Sequence, residues 1–412
     1  MKSALLTITA AIFAVLLPTT SIANMFDGTV YVINDDGTTN QHSFSFNSIQ
    51  DAIDTFSDTY LEENFPTYDV NDSAYGTVNL RGLTATFSYN MATTSNNNDG
   101  ATAGLSSLTL VIPGVVDEVF YGSSKNDLDD QVKEWFKGNG GETGVLTQIY
   151  QAMVSQTPYD PIAGNPNSLM ADMINLAYTT GESINETTIG SGNLFGIGGQ
   201  YDYSDHYNTI QSLAVPLSYA HSFASGKRIL LIDMPLYFYY YDKSTSYSGE
   251  ISVGLKNIIN RYWSLTPSIA VGGLGSVDMG SVSLVYSGFL NSTLNLPKNN
   301  WVFSLYNMAG YLKTGEITLD DYNIAYDLNN WAFNNGVGLH YRFNHMTTGL
   351  RYTYTNTEGD PWYDNHYQTI DIDLANNKQT DTLNYSPITL KLSYTFTNNG
   401  EKMYSAGIKY LF

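Results

Sequence analysis

From residue 193 onward, apolar and polar residues alternate with a period of two, segment after segment. Trp263, Leu265, Pro267, Ile269 and Val271 share one face, while Ser264, Thr266, Ser268 and Ala270 share the other. Val337, Leu339, Tyr341 and Phe343 oppose Gly338, His340, Arg342 and Asn344 in the same way. Ile388, Leu390, Leu392, Tyr394 and Phe396 oppose Thr389, Lys391, Ser393 and Thr395. Successive side chains of a β-strand point to opposite faces, so this pattern predicts strands with one apolar face and one small, polar or charged face. Twelve such segments are legible: 193–204, 206–222, 228–241, 246–259, 261–275, 281–295, 301–313, 331–344, 346–357, 366–375, 386–397 and 402–412. Segments of about ten residues or more suit a tilted crossing of a bilayer, whereas sandwich strands centre on about five or six. The connections alternate in length. Ser225-Gly226, Asn260-Arg261, Pro297-Lys298-Asn299 and Asn344-His345 are tight, while 314–330 and 358–365 are long and polar. Outer-membrane barrels place short turns on the periplasmic side and longer loops outside. The 376–385 connection departs from that alternation, being longer than a periplasmic turn should be. Aromatic residues gather near segment ends, at Tyr237–Tyr241, Trp301, Trp331 and Trp362-Tyr363, where an interfacial belt would stand. The expected fold is mainly β: a transmembrane antiparallel β-barrel of about 12 strands preceded by a small α+β region.

The stretch before residue 193 has a different rhythm. Ile49, Ile53, Phe56 and Tyr60 recur at helical spacing behind Asn47, and Leu128, Val132, Trp135 and Phe136 do so behind Asn126. Leu146, Ile149, Tyr150 and Met153 form a third stripe; Leu169, Met170, Met173, Ile174 and Ala177 form a fourth. These stripes read as packing faces of amphipathic helices. Two extended runs, Tyr75–Met91 and Leu105–Pro113, lie between the first two helices, and they could extend the barrel to fourteen strands. At the start, Met1-Lys2, the apolar run from Ala4 to Leu17 and Ser21-Ile22-Ala23 have the form of a secretory signal peptide cut after Ala23. The expected organisation is therefore a signal peptide over 1–23, an N-terminal α+β region over 24–192 acting as plug, cap or short passenger, and a barrel over 193–412. The implied location is the cell outer membrane, reached by export.

Composition narrows the chemistry. The chain has 412 residues, of which 42% are hydrophobic and only 14% charged, with 33 Tyr, 35 Gly and no Cys. Without cysteine there is no disulfide, thiolate metal site or thiol catalysis. Eighteen Lys and Arg against 39 Asp and Glu give a formal charge of −21, which argues against a nucleic-acid partner because phosphate binding needs clustered cations. Asp205-His206 and Asp364-Asn365-His366 each set a carboxylate near an imidazole. Neighbours on a strand point to opposite faces, however, so Asp205 and His206 would not orient each other. No G-x-S-x-G nucleophile block and no His-x-x-x-His or Glu-x-x-His spacing is present, and Gly196-Ile197-Gly198-Gly199 fits a strand facing a crowded lumen better than a phosphate cradle. The sequence thus leads us to expect no catalytic residues, no metal and no cofactor.

Function in a barrel would reside in its lumen. The alternation aims Asp233, Lys256, His340, Arg342, Arg351, Asp371, Asp373, Lys391 and Lys409 inward, since a Lys or Arg facing lipid at the midplane costs about 2–4 kcal/mol. Mixed charges of this kind can pair into an internal network, bind an inserted helix, or form an ion-selective eyelet. The last strand carries Tyr404, Ala406, Ile408, Tyr410 and Phe412 on one stripe and Ser405, Gly407, Lys409 and Leu411 on the other. Its Ser405, Gly407, Tyr410 and Phe412 resemble the C-terminal signal read by the bacterial outer-membrane barrel assembly machinery, which the resemblance implies as a partner together with outer-membrane lipid.

Twelve strands, a preceding helix and a terminal Phe together resemble the translocator barrel of bacterial autotransporters over about 193–412. In that resemblance the 167–179 helix corresponds to the segment threading the pore. The run Thr157-Pro158-Tyr159-Asp160-Pro161-Ile162-Ala163-Gly164-Asn165-Pro166-Asn167-Ser168-Leu169-Met170, with Arg81-Gly82-Leu83-Thr84-Ala85-Thr86-Phe87, is similar to the solitary autotransporter β-barrel family. No repeat of the β-helical passenger kind occurs in 25–192. Two functions follow as expectations: transport or surface display without a large passenger, or a porin-like small-solute channel with the N-terminal region as plug or periplasmic cap. Oligomeric state is not encoded in these patterns.

Overall fold

The computed structural model describes residues 25–34, 37–48, 58–69, 72–91, 105–136, 144–184, 190–205, 209–241, 243–319 and 322–412. The expected signal peptide and most of the stripe beginning at Ile49 lie outside these residues. The described part of 25–136 forms β1 (Phe26–Ile33), β2 (Thr39–Phe46), α1 (Asp58–Asn64), β3 (Ser73–Leu80), β4 (Leu83–Asn90), β5 (Ser106–Ile112), β6 (Val116–Gly122) and α2 (Lys125–Phe136). Its strands make one antiparallel sheet in the order β2-β1-β3-β4-β5-β6. The run Tyr75–Met91 is not one strand but a hairpin, because Arg81 (φ 54°) and Gly82 (φ 88°) are both left-handed and reverse the chain in two residues. This open sheet stands apart from the barrel, so the barrel does not grow to fourteen strands. Helix α3 (Val145–Gln156) and helix α4 (Leu169–Thr179) follow.

Twelve strands then close into a barrel: β7 (Gly192–Asp205), β8 (Thr209–Ser222), β9 (Arg228–Tyr241), β10 (Ser244–Asn260), β11 (Trp263–Ser276), β12 (Ser281–Lys298), β13 (Trp301–Thr314), β16 (Asn329–Phe343), β17 (Met346–Gly359), β18 (His366–Gln379), β19 (Asn384–Thr397) and β20 (Lys402–Leu411). A small hairpin, β14 (Glu316–Leu319) and β15 (Tyr322–Ala325), stands in the connection after β13. Closure comes from β20 pairing with β7, from Met403 opposite Ser204 to Leu411 opposite Gly196, with Phe412 and Phe195 exchanging backbone bonds of 2.9 Å. Closure leaves no unpaired edge, which is the condition for a sheet to stand in hydrocarbon. Gly196 sits where the walls are crowded: a Cβ there would lie 2.1 Å from the Ser218 hydroxyl and 2.6 Å from Leu411.

The two ends of the barrel differ. At the end bearing Gly192 and Phe412, the connections are 223–227, 261–262, 299–300, 344–345 and 380–383, all tight. The other end carries the 315–328 connection with its hairpin, the 360–365 loop and the shorter links. The 376–385 connection is itself a short turn. Pairing runs on past a bulge at Asn376/Lys378 to Gln379 opposite Asn384, so polar residues read from sequence as loop belong to the ladder.

The outward face is a belt of exposed aliphatic side chains, Ile251, Ile269, Leu290, Leu350, Ile372 and Leu392 among them, with Ile269 68% exposed. A soluble monomer does not expose a contiguous apolar band of this extent, whereas a barrel solvated by acyl chains requires one. Fourteen-residue strands exceed the roughly 9–11 residues that a tilted crossing needs. Trp301 and Trp331 stand outward at opposite strand ends, as an aromatic belt requires. The Tyr237–Tyr241 run does not belong wholly to that belt. Tyr237, Tyr239 and Tyr241 are buried in the lumen and only Tyr240 of the tyrosines is exposed, because alternation splits a continuous aromatic run between the two faces. Trp362 likewise is buried at the barrel mouth. No helix among the described residues is long and apolar enough to cross a membrane; the strands do the crossing.

Candidate functional site: a helix held in the lumen

The segment 157–168 is irregular yet buried throughout. Buried backbone must find partners, and here the side chains supply them. The Asp160 carboxylate accepts from the amides of Ile162 (2.9 Å) and Ala163 (3.3 Å), and Asn165 Nδ2 donates to the Asp160 carbonyl at 2.8 Å. Asn165 Oδ1 accepts from the Asn167 amide and the Ser168 hydroxyl donates to the Asn165 carbonyl, which delivers the chain into α4. Gly164 is required: it is left-handed at φ 96°, and a Cβ would strike the Val154 carbonyl at 2.3 Å.

This strap is fastened to both bodies at the loop end of the barrel. Arg81, fully buried, lies 3.4 Å from Asp160 and donates to the hydroxyl of Ser281 on β12 at 2.8 Å. Tyr326, after β15, donates to the same Asp160 at 3.2 Å and packs its ring on Tyr150 of α3 at 4.6 Å. The Tyr150 hydroxyl donates to the Gly280 carbonyl (2.7 Å), the Tyr363 amide to Val154, and the Asp364 amide to Gly164. Burial pushes the Asp160 carboxyl above the ordinary carboxylate range, against the opposing pull of the Arg81 guanidinium. One hydrophobic core runs from Phe26 and Val30 of the sheet through Met153 and Ile162 to Tyr326 and Trp362 at the mouth. The N-terminal sheet and the barrel are therefore a single packed unit.

Helix α4 enters at this mouth and descends inside the barrel. At its start the Tyr241 hydroxyl donates to the Asn167 carbonyl at 3.1 Å, and the Tyr239 hydroxyl donates to Asp172. Its apolar side lies against β10–β13. The wall is thinned to receive it: a Cβ at Gly272 would come within 3.1 Å of Met173 and 3.0 Å of Leu169, and one at Gly336 within 2.9 Å of the Tyr178 hydroxyl. Eleven helical residues reach only about 16 Å, so the tail beyond α4 completes the descent in extended form. There the lumenal charges converge. Thr180 donates to Asp233 (3.3 Å), and the Lys256 ammonium donates to the carbonyls of Gly181 (3.2 Å) and Ile184 (2.8 Å). Glu182 pairs with Arg351, whose guanidinium also holds Asp371 at 2.7 Å and lies 4.9 Å from the Tyr178 ring. Ser386 donates its amide to Ser183, and Ile184 bridges Tyr385 just before β7 begins at the turn end.

The inward-aimed residues fall into distinct places. Asp233, Lys256 and Arg351 are buried and grip the helix tail, and the buried Asp371 holds Arg351 from the wall. Lys391 sits 3.3 Å from Asp371. His340 receives or donates a 3.0 Å bond with the Tyr306 hydroxyl, and Asp373 adjoins the same ring across Gly349. Arg342 shares their strand face but lies at the turn-end rim and is exposed. Lys409 lines a cleft of about 230 Å³ left between α4 and the wall of β7–β9 and β18–β20, together with Asp202, Asp233, Gln200 and Ser405. On the opposite stripe of β20, Tyr410 and Phe412 face outward and Gly407 lies in the cleft wall. The Asp364-Asn365-His366 group does not assemble: Asp364 is buried at the mouth, whereas His366 bonds Asn365. His206 lies outside the described residues.

Sequence reading missed several members of this site. Asp202 and Glu250 are buried and inward at the same strand parity as their lumenal neighbours, so the alternation contained them. Glu401 carried no such signal, lying in the 398–401 turn. It accepts from Ser204 (2.8 Å) and from Asn167 Nδ2 (3.0 Å), which ties the strap to the last turn. Burial, followed by the nearby Asp364, pushes its carboxyl up to about 8. A folded-state value above the unfolded one means that the protonated acid is favoured by the fold. The resulting stability is complete near pH 4.5 and is lost as pH rises toward 8, with a magnitude of a few kcal/mol. Thermal unfolding in detergent is expected to show a falling midpoint between pH 5 and pH 9, and Glu401→Gln is expected to flatten that fall; an equal slope in the variant would remove Glu401 from the account.

The molecule is a closed twelve-strand barrel with its preceding helix in the lumen. The chain has the layout of an outer-membrane β-barrel. No family model and no curated protein matches the sequence. Among solved structures it is similar to the β domain of the Bordetella autotransporter BrkA, at 9% identity over 54% of this chain and 99% of that one, TM-score 0.39. It is also similar to the translocator domain of the autotransporter NalP from Neisseria meningitidis, at 10% identity over 58% and 95%, TM-score 0.39. A third similar structure is an outer-membrane channel from Pseudomonas putida F1, at 13% identity over 56% and 98%, TM-score 0.38.

Proposed function

We propose that this outer-membrane barrel displays its own small N-terminal domain on the cell surface and keeps it there, a structural rather than catalytic role. The path of the chain carries this reading. The N-terminal sheet packs at the loop end, 169–184 runs down the lumen, and β7 starts at the turn end. With short turns on the periplasmic side, the loop end is the outer one. A chain whose first barrel strand begins inside and whose preceding domain lies outside must have passed through the lumen. The domain is thus a short passenger that remains as a cap, and Tyr410 and Phe412 on the exposed face of β20 are the contact offered to the barrel assembly machinery. Protease added to intact cells is expected to remove the 25–136 region while the barrel stays embedded. Protection of the whole chain until the outer membrane is opened would overturn the display reading.

The polar cleft beside α4 favours a second, narrower reading as a small-solute route. In this reading the lumenal helix and the cap restrict passage, and the conductance of the full chain in planar bilayers is its measure.

A further inference from the structure

The barrel places most of its exposed cations at one end. Each turn-end connection has a Lys or Arg in it or within two residues of it on a flanking strand: Lys227 and Arg228, Arg261, Lys298, Arg342 and Lys378, in order around the rim. All are exposed. None has an ion-pair partner among the described residues, and Asp381 is the one carboxylate on the described residues of these turns. The opposite end is more acidic, with Asp278, Glu316, Asp327 and Asp360 on its connections against Lys243, Lys313 and Lys402. In a chain of net charge −21 this is a strong asymmetry. Aromatic side chains stand at the level of the cationic ring, Trp263, Trp301, Tyr341 and Phe343, with Trp301 and Tyr341 rings 4.7 Å apart. Arg261 lies 4.4 Å over the Tyr262 ring. Tyr and Trp sit at headgroup depth, so the ring lies level with lipid phosphates.

We propose that the turn end is a docking surface for the headgroups of anionic phospholipids in the adjoining leaflet. Basic residues beside a membrane attract anionic lipid individually and additively. The acidic end, about 35 Å away along the tilted strands, is several screening lengths distant and does not cancel this attraction. Placing that leaflet on the periplasmic side rests on the display orientation; the attraction itself does not, so the two can fail separately.

The test uses the full chain reconstituted in phosphatidylcholine vesicles containing spin-labelled phosphatidylglycerol or spin-labelled phosphatidylcholine. The expected result is a preference of about threefold or more for phosphatidylglycerol in the lipid shell, abolished in 1 M NaCl, where the screening length is about 3 Å. Changing Lys227, Arg228, Arg261, Lys298, Arg342 and Lys378 to Gln is expected to reduce the preference to about one, while Lys243→Gln with Lys313→Gln and Lys402→Gln at the loop end leaves it unchanged. Inorganic phosphate is expected to act no more strongly than chloride at equal ionic strength. No preference in the wild type, or a preference that survives high salt or the turn-end changes, would overturn the proposal. The wild-type salt response decides the matter even if the multiple variant does not fold.

Discussion

Replacing Arg81 by alanine is expected to cost about 3–5 kcal/mol, the range found when one partner of a buried ion pair is removed. Arg81 and Asp160 are both fully buried, and Arg81 also anchors Ser281, so one side chain joins the sheet, the strap and the barrel wall. Its backbone is left-handed at φ 54°, a conformation that a non-glycine residue keeps only when its surroundings hold it. Without the guanidinium, Asp160 faces an apolar junction with Tyr326 and two amides as its remaining partners. The strap is then expected to become protease-sensitive between 157 and 168, at a temperature where the barrel stays closed by heat-modified migration in gels. Removing both charges, as Arg81→Met with Asp160→Asn, is expected to restore most of the loss, because no uncompensated charge remains. Equal losses in the single and double variants would show that the charge is not what fastens the strap.

The second large effect is expected at Arg351. Its guanidinium holds Glu182 on the helix tail and Asp371 on the wall at once, and lies over the rings of Tyr178 and Tyr306. Arg351→Ala leaves the Glu182 and Asp371 carboxylates close to each other, with Lys391 3.3 Å from Asp371. The expected cost is again about 3–5 kcal/mol, but its location differs. The turn-end grip on 180–184 loosens while the loop-end strap remains. Planar-bilayer recordings are expected to show small, stable conductance for the wild type and larger, flickering steps for Arg351→Ala. Arg351→Lys should lie between, since an ammonium keeps the charge but loses the two-sided fork. Identical traces for wild type and alanine variant would mean that the tail does not govern the lumen.

Most of the barrel is legible in the sequence, and the reason is physical. A wall between hydrocarbon and a packed lumen imposes period two without exception, and the alternation at 263–271, 337–343 and 388–396 is that constraint written in residues. Where the constraint relaxes, reading faltered. The polar residues after Asn376 lie beyond the hydrocarbon and still pair, so polarity there did not mean loop. In the N-terminal sheet, β1 contains Gly28, β2 opens on five polar residues, and β6 interposes Asp117 and Glu118; their apolar signal is short and interrupted. The site divides in the same manner. Asp233, Lys256, Arg351 and Asp371 were visible as inward positions, but what they grip was not. Glu182 lies 169 positions from Arg351, and Asp160 lies 79 from Arg81. Periodicity reports which face a residue occupies. It is silent on which distant segment fills the space in front of it.

The direction of the chain through the lumen is the claim on which the functional reading stands, and the absence of cysteine makes it directly measurable. Single cysteines at Thr77, exposed on the N-terminal sheet, and at Ser225, exposed in a turn-end connection, give one probe at each end. A membrane-impermeant maleimide applied to intact cells is expected to label Thr77→Cys at once and Ser225→Cys only after the outer membrane is permeabilised. Labelling of Ser225→Cys on intact cells, with Thr77→Cys protected, would place the cap in the periplasm and contradict passage of the N-terminal domain to the surface.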